Sequence, residues 1–309
     1  MEAGSRGPAH ASTPVIVYGI LPPLCGPLQV SRLPPHDERV RIMKPATRKA
    51  SVTRLRSTRV PRGMSESEWQ ARLDLAAAFR LAAIQGWTDM LGTHFSLRVP
   101  GTKDQFLINP YGMLFEEITA SSLIRIDTEG NKLSESPYEV NRAGFVIHSA
   151  IHMGARDAHC VMHCHTTTGV GVATQKHGLL PITQMALTIL GELRYHDYEG
   201  VADDEEERSR IVKDLGDGTV MILRNHGTLA IGATVGEAFS RMYRIERACR
   251  FQIAALTGGA EPNPIPREVA DYTTQQGREI NGTGRGAGGK LMWAALKRKL
   301  DREDPGYAA

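Results

Sequence analysis

Two apolar segments, each followed closely by histidine, constrain the possible fold of this chain more than any other feature of its sequence. Residues 158–162 resemble a buried strand and lead directly into His163 and His165, and residues 220–223 form a second such run that leads into His226. Side chains two positions apart on a strand face the same way, so His163 and His165 can share one ligand while Cys164 points to the opposite side. The glycine at 227 permits a sharp turn after the third histidine.

This arrangement points to a metal site. Neutral imidazoles are the commonest ligands of zinc and are also suitable for iron, and the carboxyl ends of strands are where open α/β sheets usually bind ligands. We therefore predict that His163, His165 and His226 bind one divalent metal ion, zinc first and iron as the alternative. A His-X-His pair alone is more often structural, and it is the second strand with its own histidine that favours the metal site.

The composition indicates one medium-sized domain with extensions. With 309 residues, 41% hydrophobic and 23% charged, the chain can bury a substantial core. It has no apolar run of about 18 residues that could cross a membrane, so we expect no membrane partner. Its net charge of +3 is uneven, because residues 1–62 hold eleven Lys and Arg residues against three acidic ones.

The basic segment also contains nine of the 17 prolines and little periodic apolar sequence. We therefore predict that residues 1–63 are a disordered extension, more often dispensable than a nucleic-acid-binding or targeting segment, and we expect no nucleic-acid partner. Ser65 and the acidic residues after it are typical of a helix start, which places the beginning of the folded domain near Met64. The cysteines show no paired spacing and no secretory signal precedes them, which favours a reduced, cytoplasmic protein.

From Glu66 onward the pattern alternates between helices and strands. Amphipathic periodicity predicts helices over residues 66–86, 141–154 and 235–256, and alternation predicts a strand pair over 95–99 and 105–108. The acidic run 203–207 is expected to open a further helix, where the helix dipole favours negative charge. The Gly- and Pro-rich residues 258–289 are expected to be a linker before a final helix, so that the last unit of the chain is 258–309.

Several sequence blocks, in the same order, resemble the class II aldolase and adducin head family. Over residues 64–257 the blocks are 141–152, which is similar to adducin-type members, 163–166, 178–182, 195–200 and 223–227. The resemblance implies a three-layer α/β/α fold around a largely antiparallel sheet. It also implies a ring-shaped homotetramer with active sites between subunits, and a divalent metal, normally zinc, on the three histidines.

The sequence departs from the pattern of the family's sugar-phosphate aldolases at the proton-carrying positions. The resemblance places their glutamate at about Gly144 or Phe145, and their tyrosine near Met185, and none of these side chains transfers a proton. The usual Gly-Asn pair of the phosphate pocket is Thr93-His94 here. We therefore consider His196, Glu199 and Tyr111 as replacement proton carriers.

Three functions follow from these observations. The first is a metal-dependent lyase that acts on a small carbonyl substrate, sugar-like in the family, through a metal-stabilised enediolate. The second is a non-catalytic interaction module, as the adducin likeness suggests. The third is a non-haem iron oxygenase or decarboxylase on the same scaffold, which the identity of the metal and oxygen uptake would separate from the lyase.

Overall fold

The computed structural model describes residues 60–200, 206–281 and 289–309. The predicted extension over residues 1–63 therefore lies, except for residues 60–63, outside the described part of the chain. The first helix begins one residue after Ser65, whose hydroxyl accepts a hydrogen bond from the main-chain N–H of Glu68, and it ends at Gly86 in a left-handed conformation. The start of this helix thus agrees with the capping signal in the sequence.

Seven strands and eight α-helices make up the described structure. The strands are β1 His94–Arg98, β2 Gln105–Ile108, β3 Ile124–Asp127, β4 Cys160–Cys164, β5 Leu193–His196, β6 Val220–Leu223 and β7 Gly227–Gly232. The helices are α1 Glu66–Gln85, α2 Arg142–Gly154, α3 Thr167–Ala173, α4 Gln184–Leu190, α5 Glu207–Leu215, α6 Val235–Leu256, α7 Arg267–Asn281 and α8 Lys290–Glu303.

The strands form one sheet in the order β3-β2-β1-β4-β7-β6-β5. Every neighbouring pair is antiparallel except β5 and β6, which are parallel. The prediction of a largely antiparallel sheet is confirmed. In the register of the central strands His94 lies opposite His163, and His163 lies opposite Leu229, so the start of β1, the end of β4 and the start of β7 meet at one edge.

Alternating side chains divide the core between the two faces of the sheet. On β4, Met162 and Cys164 pack in the cluster that contains α1 and α6, whereas Val161 packs with α2 and α5 on the other face. Two faces covered by helices give the three layers α/β/α. Since His163 is two residues from Val161, its side chain lies on the α2 face.

One predicted element differs from the structure. Residues 258–289 were expected to form a linker, but Arg267–Asn281 is a helix of 15 residues that contacts α4. The prolines that suggested a linker all lie before this helix and most of the glycines lie before or after it, whereas the 15 residues of the helix contain no proline and one glycine. In the described part of the chain, no helix is long and apolar enough to span a membrane.

Candidate metal centre

The three predicted ligands meet at the edge where β4, β6 and β7 come together. The Nε2 atom of His163 lies 2.7 Å from Nε2 of His165 and 3.2 Å from Nε2 of His226, and the last two atoms are 2.9 Å apart. His226 reaches this position from the tight turn between β6 and β7, where Asn225 has a φ of 57°. Gly227 is also required, because a Cβ atom there would lie 2.4 Å from the carbonyl oxygen of Cys164.

Hydrogen bonds made by the Nδ1 atoms of His163 and His165 determine the tautomer of each ring. His163 Nδ1 donates to the carbonyl oxygen of Thr228 at 3.0 Å, and His165 Nδ1 donates to Oδ2 of Asp89 at 3.1 Å. Since carbonyl and carboxylate oxygens only accept, both Nδ1 atoms carry hydrogen. In their neutral forms both residues therefore direct an unprotonated Nε2 toward the centre. Such outer partners are typical of histidines that bind metal ions.

The protonated forms of His163 and His226 are disfavoured. Burial, followed by the nearby His226 and His165, lowers the pKa of His163 well below its ordinary value. Burial and the neighbouring His165 and His196 lower the pKa of His226 to about 4. Metal ions bind the neutral form of imidazole, so these two lowered pKa values favour a zinc or iron site.

Cys164 is not part of this group. Its thiol is free and fully buried on the α6 face, and burial, together with the nearby Glu246, raises its pKa well above the ordinary value. Within the described residues, His163, His165 and His226 form the one cluster of histidine, cysteine and acidic side chains spaced for a metal ion.

A chain of buried hydrogen bonds extends from the centre between the sheet and α2. His94, whose ring centroid is 5.1 Å from that of His163, contacts Nε2 of His148 through Nδ1 at 2.8 Å. The hydroxyl oxygen of Ser96 lies 2.5 Å from Nδ1 of His148 and 2.6 Å from Nε2 of His152. All four of these side chains are buried.

The last hydrogen bond of this series, made by His152, sets the direction of donation along it. His152 Nδ1 lies 2.7 Å from the carbonyl oxygen of Ala158 and must donate to it. If the histidines are neutral, Ser96 then donates to His152, His148 donates to Ser96, and His94 donates to His148. Burial lowers the pKa of His94 and of His152 to about 3, which supports the neutral forms.

Two of the predicted proton carriers lie beside His226. His196, Glu199 and His226 line one small cleft at the ends of β5 and β6. His196 is buried, with Nδ1 2.7 Å from Asp214 and Nε2 3.4 Å from Glu207. Glu199 forms a two-point ion pair with Arg210, at 2.9 and 2.8 Å from its Nε.

Tyr111 is placed differently. It follows β2, which β1 separates from β4, and its main-chain N–H donates to the carbonyl oxygen of Glu139 at 2.8 Å. The side chain is 47% exposed. Tyr111 is not among the described residues that line the cleft beside His226, so its catalytic role stays a prediction, as do those of His196 and Glu199.

Sequence reasoning missed His94 and Ser96 as neighbours of the centre. His148 and His152 share one face of α2, a spacing visible in the sequence, and both lie near the site as that spacing suggests. The sequence signal for His94 and Ser96 is their spacing of two at the start of β1, which puts both side chains on one face of the strand. That spacing places them beside the centre only once β1 is known to pair with β4, because no local pattern connects residue 94 with residue 163.

A three-layer α/β/α domain with three imidazoles at one sheet edge is the arrangement that the sequence blocks predicted. The family model for the class II aldolase and adducin N-terminal domain matches residues 73–253, which is more than half of the chain. The protein belongs to the class II aldolase and adducin head family.

Known relatives include both named branches of the family. A Caulobacter vibrioides protein provisionally named as a class 2 aldolase is 53% identical over 245 residues, covering 79% of this chain and 94% of that protein. Rat alpha-adducin is 39% identical over 241 residues, covering 74% of this chain but 33% of adducin. Among solved structures, L-fuculose 1-phosphate aldolase from Glaciozyma antarctica has a TM-score of 0.66 at 26% identity, covering 80% of this chain and 96% of that one.

Proposed function

We propose that this protein is a metal-dependent lyase that acts on a small carbonyl substrate. One observation carries the metal site in this proposal: in the neutral forms of His163 and His165, their unprotonated Nε2 atoms face each other at 2.7 Å. Two lone pairs cannot form a hydrogen bond with each other, and their repulsion is relieved by a shared cation.

The residues present fit a zinc ion, with iron as the alternative. His163, His165 and His226 would hold it, and Thr228 and Asp89 support the first two through their Nδ1 atoms. Three protein ligands leave a coordination position for substrate, as in catalytic rather than structural zinc sites. A bound divalent ion supplies Lewis acidity to the carbonyl group of a substrate.

Cleavage of a β-hydroxy carbonyl compound requires two proton transfers by the protein. The bond between the α and β carbons breaks, the β-hydroxyl group loses its proton to a base, and the electron pair left at the α carbon later takes a proton from an acid. We assign these transfers to the group His196, Glu199 and Tyr111. His196 can take part only when its 3.4 Å contact with Glu207 opens, since its other nitrogen is held by Asp214.

The exposed position of Tyr111 supports an assembly in which subunits share sites. An exposed phenol that is two strands from β4 fits a role in a neighbouring subunit's site better than one in its own. We accordingly extend the proposal to a homotetramer, the assembly that the family resemblance implies, located in the cytoplasm.

A second candidate is a non-catalytic interaction module. The 39% identity to rat alpha-adducin favours it, although the match covers only a third of that protein. In this case the three histidines would be retained for packing. Metal identification together with measurement of oxygen uptake separates an iron oxygenase or decarboxylase from the lyase.

The test uses the full chain with zinc or iron(II) restored, and L-fuculose 1-phosphate and L-fuculose as probes. Nuclear magnetic resonance in D₂O follows both carbon–carbon cleavage and deuterium uptake next to the carbonyl group. The His163→Ala/His226→Ala double variant is the matched control. Cleavage or exchange by the wild type alone supports the lyase, and neither reaction across a panel of hydroxyketones overturns it in favour of the interaction module.

A further inference from the structure

A buried carboxylate on the opposite face of the sheet connects the two segments that carry the histidines. Glu246 lies on α6 and is 4% exposed. Its Oε2 accepts a hydrogen bond from the hydroxyl of Thr166, and its Oε1 accepts one from the hydroxyl of Thr228. Thr166 directly follows His165, and Thr228 comes two residues after His226. One side chain therefore holds both ends of the proposed metal centre.

Thr228 joins this carboxylate to a third imidazole. Its hydroxyl donates to Glu246, while its main-chain carbonyl oxygen accepts the hydrogen of His163 Nδ1 at 3.0 Å. Thr166 is likewise used twice, because its oxygen also accepts the main-chain N–H of Gly169 at 2.9 Å and so caps α3. A shift of Glu246 would therefore change the positions of all three histidines, although it contacts none of them.

The backbone at Gly169 leaves space for this contact. A Cβ atom at position 169 would lie 2.8 Å from Oγ1 of Thr166, 2.9 Å from Oε1 of Glu246 and 3.1 Å from Cγ2 of Thr228. Contacts under 3.0 Å require something to move, and the interior around them is densely packed. The glycine thus permits the three polar side chains to meet.

Packing alone does not explain a carboxylate at this position. Burial raises the pKa of Glu246, and the hydrogen bonds from Thr166 and Thr228 oppose that shift. An apolar side chain would fill the same space without the cost of burying a charge. What an apolar side chain could not provide is a pair of acceptors that fixes two threonines at once.

We infer that Glu246 is a positioning residue for the metal centre and sets the distance between the His163–His165 segment and His226. The inference depends on the proposed metal site. It predicts that breaking either threonine contact weakens metal binding by the 10- to 100-fold typical of outer-sphere partners. This loss of affinity should exceed any effect on the stability of the metal-free fold.

The test measures zinc affinity of the full chain by competition with a chromophoric chelator, beside thermal unfolding of the metal-free form. Glu246→Gln, Thr166→Val and Thr228→Val each remove an acceptor or a hydroxyl with little change in volume. We expect dissociation constants about 10- to 100-fold higher in these variants and a return toward the wild-type value in Thr166→Ser and Thr228→Ser. Glu68→Gln is the matched control, since Glu68 is also a buried carboxylate on a helix but pairs with Arg72 and Arg125.

The outcomes separate this inference from the proposed function. If the wild type binds zinc and the valine variants bind it equally well, Glu246 has no positioning role and the inference is overturned. If the Glu68→Gln control loses affinity as much as Glu246→Gln, the effect is general loss of stability and the inference is also overturned. If the wild type itself binds no zinc or iron, the proposed function fails first. Should Glu246→Gln not fold, the two threonine-to-valine variants decide the question.

Discussion

The ring of His94 occupies the space that a side chain at position 144 would need. A Cβ atom on Gly144 would lie 2.8 Å from Cδ2 of His94 and 3.0 Å from its Nε2. The family resemblance placed a proton-carrying glutamate near this position and an asparagine at position 94. The structure shows that the two departures are related, because the imidazole on β1 fits only when the facing position on α2 has no side chain.

This relationship predicts coupling between the two positions. Gly144→Ala adds a methyl group against His94 at a steric cost of about 1–3 kcal/mol. Alanine gains roughly 1 kcal/mol over glycine in a helix, so the free energy of unfolding should fall by up to about 2 kcal/mol. His94→Asn makes space, so in that background the same substitution should cost nothing. A double-mutant cycle measured by urea unfolding tests this, and equal effects of Gly144→Ala in both backgrounds would contradict it.

The hydroxyl of Ser96 is expected to stabilise the fold strongly. Ser96→Ala leaves the Nδ1 hydrogen of His148 and Nε2 of His152 without their shared buried partner, and should cost about 1–3 kcal/mol. Ser149→Ala is the matched control, because that buried hydroxyl donates only to the carbonyl oxygen of Val146 at 3.3 Å. Denaturant unfolding should show a clearly larger loss for Ser96→Ala, and similar losses would argue against the continuous chain.

Acid should destabilise the metal-free protein through His152. Burial, with the positive charges of Arg98 and His159, lowers its pKa to about 3 against the hydrogen bond to Ala158. Between about pH 6.5 and pH 3 the unfolded chain therefore binds a proton that the folded chain does not, so this contribution is present above pH 6.5 and is lost as the pH falls.

At pH 5 the expected loss from this one group is about 2 kcal/mol relative to pH 7.5. The measurement is chemical unfolding of the chelator-treated protein at both pH values, for the wild type and for His152→Gln. The variant should start less stable at pH 7.5 but lose about 2 kcal/mol less on acidification. An equal loss in both proteins would show that His152 does not cause the acid sensitivity.

Cys164 should be dispensable for metal binding although it lies between two ligands. Its thiol is buried on the α6 face, away from the three imidazoles. Cys164→Ala should therefore keep the wild-type zinc stoichiometry, with at most a moderate loss of stability from the small cavity. Loss of the metal from this variant, as judged by elemental analysis, would mean that the thiol is a ligand.

The meeting of the three histidines of the proposed metal centre could be predicted from the sequence because each lies within or near the end of a strand with a clear apolar pattern. The period of two placed His163 and His165 on one side, and Gly227 signalled the turn that presents His226. His94 could not be placed in this way, since its contact with Gly144 depends on a residue fifty positions away that has no side chain.

The same limit explains the helix α7 and the carboxylate Glu246. Composition averaged over residues 258–289 hid a helix whose own residues include no proline and one glycine. Glu246 reads as an ordinary polar position on α6, and only the packing of α6 against β7 shows that it faces the threonines. Long-range pairing determines such contacts, and a single sequence does not display it.

Metal content is the most direct test of the central claim that His163, His165 and His226 form a metal centre. The full chain should be purified without chelator or histidine tag and analysed for metals beside the His163→Ala/His226→Ala variant. We predict about one zinc or iron ion per chain in the wild type and none in the variant. A wild type that stays free of metal after incubation with either ion, or a variant that retains it, would contradict the account.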